Sequence, residues 1–288
     1  MPNLRAMADA DVPETVDVWE VAFREMSARF DLERAPRTPE DDLRIGNRIR
    51  YFLGTDPDGS WVAEDGGRVV GFSQSFVRDG HWVLSLLAVD PGSQRHGLGR
   101  QLLDRALGNA DPSGPGMIQS SRDPRAMALY TSAGFSLHPT VIAYGPVRPG
   151  AVSADPRVRS ADEVDLGLVD AIDRAVRGTA RTADIAAMLR DPGHRLVMLD
   201  DRAYAVVKDD RVVTLGARDD DAASALLATA LVSMPEGTTV EVGWLTSSQQ
   251  WAIRTLVAAG VDLHPLGAVM VRGLPGPPTP YIPSGGYG

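Results

Sequence analysis

No cysteine occurs among the 288 residues. Disulfide bonds, a thiolate nucleophile and cysteine-ligated zinc are thereby excluded, and nothing in the composition calls for an oxidising compartment. Lysine is almost as scarce, with Lys208 the single example against 28 arginines. A Walker-type phosphate loop requires a lysine directly after its second glycine. Lys208 instead lies between Val207 and Asp209 with no glycine-rich run before it, so that mode of nucleotide binding is absent. Long apolar runs are missing as well. The longest aliphatic stretch, ALLATALV at 225–232, is too short to span a bilayer, and the opening MPNLRAMADADVPE lacks the charged-then-apolar layout of a secretion signal. A soluble cytoplasmic protein without a membrane partner is expected. Positive charge is in deficit, with a formal net charge of −9. That balance argues against nucleic acid and favours a cationic substrate such as a free amine. The five histidines show no i, i+4 pairing with carboxylates, so no metal site is expected. GFSQS at 71–75 fails the Gly-x-Ser-x-Gly pattern of hydrolases.

What is present centres on QRHGLG at 94–99, between an apolar strand-like segment, WVLSLLAV (82–89), and an amphipathic helix-like one, GRQLLDRAL (99–107). Gly97 and Gly99 remove side chains where a backbone must approach a ligand, and the helix that follows presents unpaired N–H groups and a partial positive charge. The backbone of Arg95, His96, Gly97, Leu98, Gly99 and Arg100, with the two arginine side chains, reads as an anion cradle suited to a diphosphate. The dinucleotide fingerprint would need a third glycine where Leu102 stands.

With its flanks, LLAVDPGSQRHGLGRQLLDRAL resembles the acyl-CoA-binding segment of the GNAT superfamily of N-acetyltransferases, whose pattern is Gln/Arg-x-x-Gly-x-Gly/Ala. DPRAMALYTSAGF (123–135) resembles the superfamily's second element, Asn-x-x-Ala-x-x-x-Tyr-x-x-x-Gly-Phe. Ala126, Tyr130, Gly134 and Phe135 are in place, and Asp123 stands where asparagine is usual. The resemblance implies an α/β (α+β) fold, a mixed, mostly antiparallel sheet flanked by helices. It also implies acetyl-CoA as co-substrate, attacked directly by a primary amine of a small molecule or peptide in a ternary complex. The strand at Leu87, Ala88 and Val89 would pair with the pantetheine amides, residues 95–100 would hold the diphosphate, and Tyr130 would protonate the departing thiolate. Asp123, which cannot donate as asparagine does, would bond pantetheine less well. No base for the amine is evident: the polar residues near the expected site are His81, which the Asp79-Gly80 turn should leave exposed, Ser85, and Glu25, Asp31 and Glu33. Two alternatives stay open, a non-catalytic acyl-CoA-binding module and an enzyme using a longer acyl-CoA. A monomer and a homodimer are equally compatible with the sequence.

The chain divides near PVRPGAVSADP (146–156), giving an acyl-CoA-binding domain at 1–148, a linker at 149–156, a second domain at 157–272 and a Pro/Gly-rich tail at 273–288. The periodicity predicts strands at 3–6, 60–64, 67–77, 81–89 and 116–121, helices at 12–28, 39–53 and 124–133, and two short strands within 135–145. ALYTSAGFSLHPTVIAY (128–144) aligns with RTLVAAGVDLHPLGAVM (254–270) at a constant offset of 126, the mark of a duplicated unit. Two tandem domains of one fold are therefore expected. The second lacks the chemistry: Leu256 replaces Tyr130, and RDDD (218–221) replaces the glycine-rich arm, placing three carboxylates where a diphosphate would be repelled. The tail reads as disordered by composition, although Tyr281, Ile282 and Tyr287 would let it dock in a groove, with the mouth of the first domain as the expected place.

Overall fold

In the computed structural model, which describes residues 2–30, 36–94 and 97–288, turn chemistry sets the first sheet. β1 (Asn3–Ala6) lies antiparallel to β2 (Ser60–Asp65), and two tight hairpins connect β2 to β3 (Arg68–Arg78) and β3 to β4 (His81–Val89). Both turns, Gly66-Gly67 and Asp79-Gly80, hold positive φ at each residue, the geometry that matches the twist of an antiparallel pair. α1 (Val12–Arg29) buries Val12, Val16 and Glu20 at four-residue spacing. α2 (Pro39–Thr55) starts on a capping box: the Thr38 hydroxyl accepts the Asp41 N–H (3.1 Å) and the Asp41 carboxylate accepts the Thr38 N–H (3.2 Å). Ile45, Ile49 and Phe52 form its buried stripe, and Phe52 stacks on Phe76 of β3 at 4.5 Å. α3 (Leu98–Ala106) buries Leu98, Leu102, Leu103 and Ala106. The Ser73 and Ser75 hydroxyls of β3 donate to the Leu102 and Ala106 carbonyls (2.9 and 2.8 Å), which fixes the helix on the sheet.

The chain forms two compact units, Met1–Pro115 and Gly116–Gly288. The second contains β5 (Gly116–Ser121), α4 (Pro124–Ser132), β6 (Ser136–Pro146), β7 (Val158–Ala161), α5 (Leu166–Arg177), α6 (Thr182–Leu189), β8 (Arg195–Leu199), β9 (Ala203–Lys208), β10 (Arg211–Ala217), α7 (Asp220–Val232), β11 (Thr239–Leu245), α8 (Gln250–Ala258), β12 (Asp262–Arg272) and β13 (Tyr281–Ile282). Within it the strands run β5-β12-β6-β11-β10-β9-β8-β7, with β13 against β10. All of these pairs are antiparallel except β10 with β11.

The element order β-α-α-β-β-β-α-β-α-β occurs twice, from β1 to β6 and from β7 to β12. The repeat read from the sequence lies in α4–β6 and α8–β12, whose boundaries differ by the same 126 residues at every end. The two final strands are exchanged. β12 of the second repeat lies between β5 and β6 of the first, and β6 lies between β12 and β11 of the second. This exchange is why the compact units divide at 115/116 while the composition changes at 149–156: β5, α4 and β6 pack with the second repeat. It also makes β6 one continuous strand rather than the two short ones expected, because β11 and β12 pair along both of its edges. The core of the second unit gathers Leu215, Leu226, Leu227, Val242, Trp251 and Leu256. The tail at 273–288 is not a loose end: Tyr281, Ile282, Ser284 and Tyr287 are buried within this same unit, where β13 pairs with β10 and Tyr281 packs with Met117.

Candidate active site

β4 carries a bulge. Against β3, Gln74 faces Leu86 and Ser75 faces Leu84, so Ser85 is the extra residue, which re-aims the four residues after it. Leu87, Ala88 and Val89 pair with Ser73, Phe72 and Gly71 on one side. Gly71 lets α3 approach closely there, since a Cβ would stand 3.1 Å from the Leu102 side chain. Beyond Val89 the chain turns under local control. The Asp90 N–H donates to the Val70 carbonyl (2.9 Å), the Asp90 carboxylate accepts the Gly92 N–H (2.8 Å), and the Gln94 side-chain amide donates to the Val89 carbonyl (3.0 Å).

α3 then begins on Gly97, which is left-handed at φ 69° and has no side chain to cap the helix. Among the described residues, a Cβ at Gly97 would meet nothing within 4 Å. Leu98 is buried, Gly99 half-buried, and Arg100 exposed with no ion-pair partner among the described residues. An uncapped N-terminus with an unpaired cation beside it is a ready anion site. Arg95 and His96, expected to complete it, lie outside the described residues, as do Asp31 and Glu33.

On the second unit, α4 positions the expected acid. Asp123 is its N-cap, accepting the Arg125 N–H (2.9 Å), with Pro124 as the first helical residue. The Asp123 carboxylate also pairs with the Arg125 guanidinium (2.5 Å). Asparagine would cap the helix equally well, so what the departure to aspartate adds is the ion pair with Arg125. Tyr130 sits one turn from the other end and is 6% exposed. Burial first, and the Asp123 carboxylate second, push its hydroxyl well above the usual tyrosine range, so it stays protonated. Among the described residues the hydroxyl has no hydrogen-bond partner. Gly134 (φ 88°) ends the helix, and the Phe135 N–H donates to the Tyr130 carbonyl (3.2 Å).

The remaining candidates fare differently. His81 is buried, contrary to expectation: the Trp82 N–H donates to the Pro115 carbonyl (2.9 Å), so the start of β4 is covered. Ser85 is also buried, at the bulge. Glu25 is paired with Arg29 one turn on (2.5 Å). Two residues escaped sequence reading. Glu20 is buried on α1 and paired with Arg24; its signal was a carboxylate four residues after Val16 on the apolar stripe. On β5, both polar atoms of the Gln119 amide are buried without a partner among the described residues, a gap that native proteins seldom leave unfilled.

The second repeat offers a contrast at each position. α7 is capped by Asp219, whose carboxylate accepts the Ala222 N–H (2.9 Å) and pairs with Arg202 (2.7 Å). The three carboxylates do more than repel: one of them fills the helix terminus. Leu256 is 0% exposed in the core, and the Val261 N–H closes α8 on its carbonyl (3.0 Å) as Phe135 does on Tyr130. Among the described residues no group of three or more His, Asp or Glu side chains is arranged to hold a metal ion, and no helix is long and apolar enough to cross a membrane.

Residues 56–137 match the family model described as acetyltransferase (GNAT) domain. That segment, from just before β2 to the start of β6, is similar to GNAT acetyltransferase domains. Among curated proteins it is 32% identical over 117 residues to a mycothiol acetyltransferase of Amycolatopsis mediterranei, covering 36% of this chain and 38% of that one. A mycothiol acetyltransferase of Beutenbergia cavernae is 31% identical over 102 residues, covering 33% of each. The chain spans under two fifths of these relatives' length. Its fold is similar to a crystal structure of a Pyrococcus horikoshii protein (TM-score 0.75, 17% identity, 95% of this chain and 89% of that one). It is also similar to a tandem GNAT protein from the clavulanic acid biosynthesis pathway (TM-score 0.59, 16% identity, 96% and 100%).

Proposed function

We propose that the chain transfers an acetyl group from acetyl-CoA to a primary amine of a small molecule or peptide, at one site formed by the first repeat, with residues 1–148 as the catalytic domain and 157–272 as a degenerate one. The observation that carries this reading is the contrast between two helix termini. α3 starts on an uncapped, left-handed Gly97 beside an unpaired Arg100, whereas α7 starts on Asp219, which caps it. In this reading Leu87, Ala88 and Val89 bind the pantetheine arm by strand addition, and the backbone of 95–100 with Arg95 and Arg100 binds the diphosphate. Asp123 orients α4. The co-substrate supplies the thioester. The amine nitrogen bonds to its carbonyl carbon as the carbon–sulfur bond breaks, the Tyr130 hydroxyl gives its proton to the sulfur, and the proton shed by the nitrogen passes to solvent, from which the Tyr130 phenolate is reprotonated.

The formal charge of −9 supports a cationic acceptor. The test is titration calorimetry of acetyl-CoA into the full chain, followed by CoA release with a panel of small amines, aminoglycosides, peptides and, after the relatives' name, mycothiol-type amines. A stoichiometry of one and turnover with a member of the panel are expected. A stoichiometry of two would overturn the single-site reading. Tight binding with no turnover on any amine would overturn catalysis.

A further inference from the structure

The tail enters a groove built by the second repeat together with Met117 of β5. After β12 the chain passes the start of α8, where the Gln249 amide donates to the Pro278 carbonyl and the Thr279 hydroxyl donates to the Ser248 carbonyl (both 2.9 Å). β13 then adds to β10, with Tyr281 opposite Gly216 and Ile282 opposite Leu215, and the Ala217 N–H donates to the Pro280 carbonyl (3.1 Å). β10 has this edge available because, among the described residues, its pairing with β11 is confined to Arg211 and Glu241. Gly216 must lack a side chain, since a Cβ would stand 2.8 Å from the Tyr204 ring. Across the groove, Trp244 of β11 holds φ 60° where the register against β6 shifts. A Cβ on Gly285 would stand 3.1 Å from its indole nitrogen, so the tail turns close against that ring.

The polar end of the groove is a buried clamp. Arg181, 2% exposed, donates through Nη1 to the Gly288 backbone oxygen (2.6 Å), through Nε to Asp173 (2.8 Å) and through Nη2 to the hydroxyls of Tyr204 (2.8 Å) and Thr214 (2.9 Å). The Tyr281 hydroxyl donates to the same Gly288 oxygen (2.5 Å), and the Thr214 hydroxyl to the Ile282 carbonyl (2.8 Å). The Tyr281 ring lies beneath the Arg177 and Arg181 guanidiniums (5.3 and 5.2 Å) and packs with Met117, Val269 and Val271. A free strand edge, an aromatic seat and converging donors for a backbone oxygen are the parts of a peptide-binding site.

We propose that residues 280–288 are a ligand of the second repeat carried on the same chain, an extended peptide that occupies the groove between β10 and β11 and exchanges with an equivalent peptide supplied from outside. The groove is also the counterpart of the first repeat's cofactor edge. β10 has its bulge at Val213 as β4 has at Ser85, so Leu215, Gly216 and Ala217 correspond to Leu87, Ala88 and Val89. That correspondence rests on the proposed function; the peptide site does not. The second repeat would thus be closed to an acyl-CoA arm by its own tail, besides having its helix terminus capped.

The experiment places a protease site at Gly276, where a side chain would meet nothing within 4 Å, and cleaves the folded full chain. A fluorescent peptide of residues 277–288 is then added, and binding is followed by anisotropy and gel filtration. The cleaved tail is expected to co-elute with the body and to be displaced by excess peptide. A peptide carrying Tyr281→Ala should bind roughly 30-fold more weakly, as expected for loss of a buried aromatic anchor. Immediate release of the tail without a change in melting temperature, or equal binding of the Tyr281→Ala peptide, would overturn the proposal. Should the body unfold once the tail is displaced, its melting temperature must rise with added wild-type peptide, and no rise would equally overturn it. Acetyl-CoA enters none of these readouts, so failure here and failure of the acyltransferase reading are separate results.

Discussion

Leu256→Ala tests whether the second repeat lost its tyrosine to packing. Leu256 lies with Trp251 and Ala252 on the buried side of α8, in a core shared with Leu245 and Val261, and is fully enclosed. Alanine keeps the backbone, so the bond from the Val261 N–H to the residue 256 carbonyl survives and the whole effect is lost contact plus the cavity left behind. Leu→Ala changes at such sites cost about 2–5 kcal/mol, and a core walled by strands and a second helix collapses little, so about 3 kcal/mol is expected. For a unit of this size that corresponds to a fall in melting temperature of roughly 6–12 °C. Urea melts of wild type and variant, with equal slopes, give the number directly. A loss below about 1 kcal/mol would show that the residue is not enclosed and that the 126-residue register misplaces it.

Three further outcomes follow from the same structure. A fragment of residues 1–148 keeps β5 and β6 but lacks β12, which pairs with both, and β11; it should aggregate or fail to melt cooperatively, and a cooperative melt by circular dichroism would contradict the strand exchange. Asp219→Ala removes the α7 cap at a cost of about 1 kcal/mol. The Ala222 N–H is the main cause holding the Asp219 carboxylate below its usual range, so the cap contributes fully above about pH 4 and fades as pH falls through the folded value. The difference between wild type and Asp219→Ala should therefore shrink in acid melts, and a gap unchanged down to pH 2 would refute it. Leu256→Tyr should yield no second active site, since α7 remains capped; a doubled acetyl-CoA stoichiometry would refute that.

Much of the fold is legible because its signals are local. Gly66-Gly67, Asp79-Gly80 and the Thr38 capping box mark turns and a helix start through side-chain chemistry within a few residues. The repeat is legible because α4–β6 and α8–β12 kept identical residues at fixed spacing. Strand exchange is not, since two copies of one strand offer the same pairing pattern to either partner. The continuity of β6 is not legible either, because it depends on the pairing that β11 and β12 supply along both edges, which compensates for Pro139, a residue with no ladder donor. The ordered tail was hidden by its Pro/Gly composition, because what holds it, Arg181 with Asp173, reads in sequence as ordinary helix charge. Asp123 carried a legible signal, Asp-Pro at a helix start, but the family motif drew it toward the cofactor. Near the expected site, Gly97 starts α3 without a side-chain cap, and Gly99 lies inside the first turn rather than before the helix. Glu20 and Gln119 went unseen because one looks like helix surface and the other like a strand's polar face.

The central claim is that the first repeat performs acyl transfer with Tyr130 as the acid, and Tyr130→Phe measures it most directly. The substitution keeps the ring and its packing, so melting temperature and acetyl-CoA affinity should stay close to wild type. Because burial holds the hydroxyl protonated past its usual range, the wild-type enzyme should keep this acid to about pH 10 and beyond, and any fall in rate at lower pH must come from another group. CoA release with an acceptor from the panel should drop roughly 10²–10⁴-fold in the variant, an effect confined to the transition state. Full turnover by Tyr130→Phe would contradict the account.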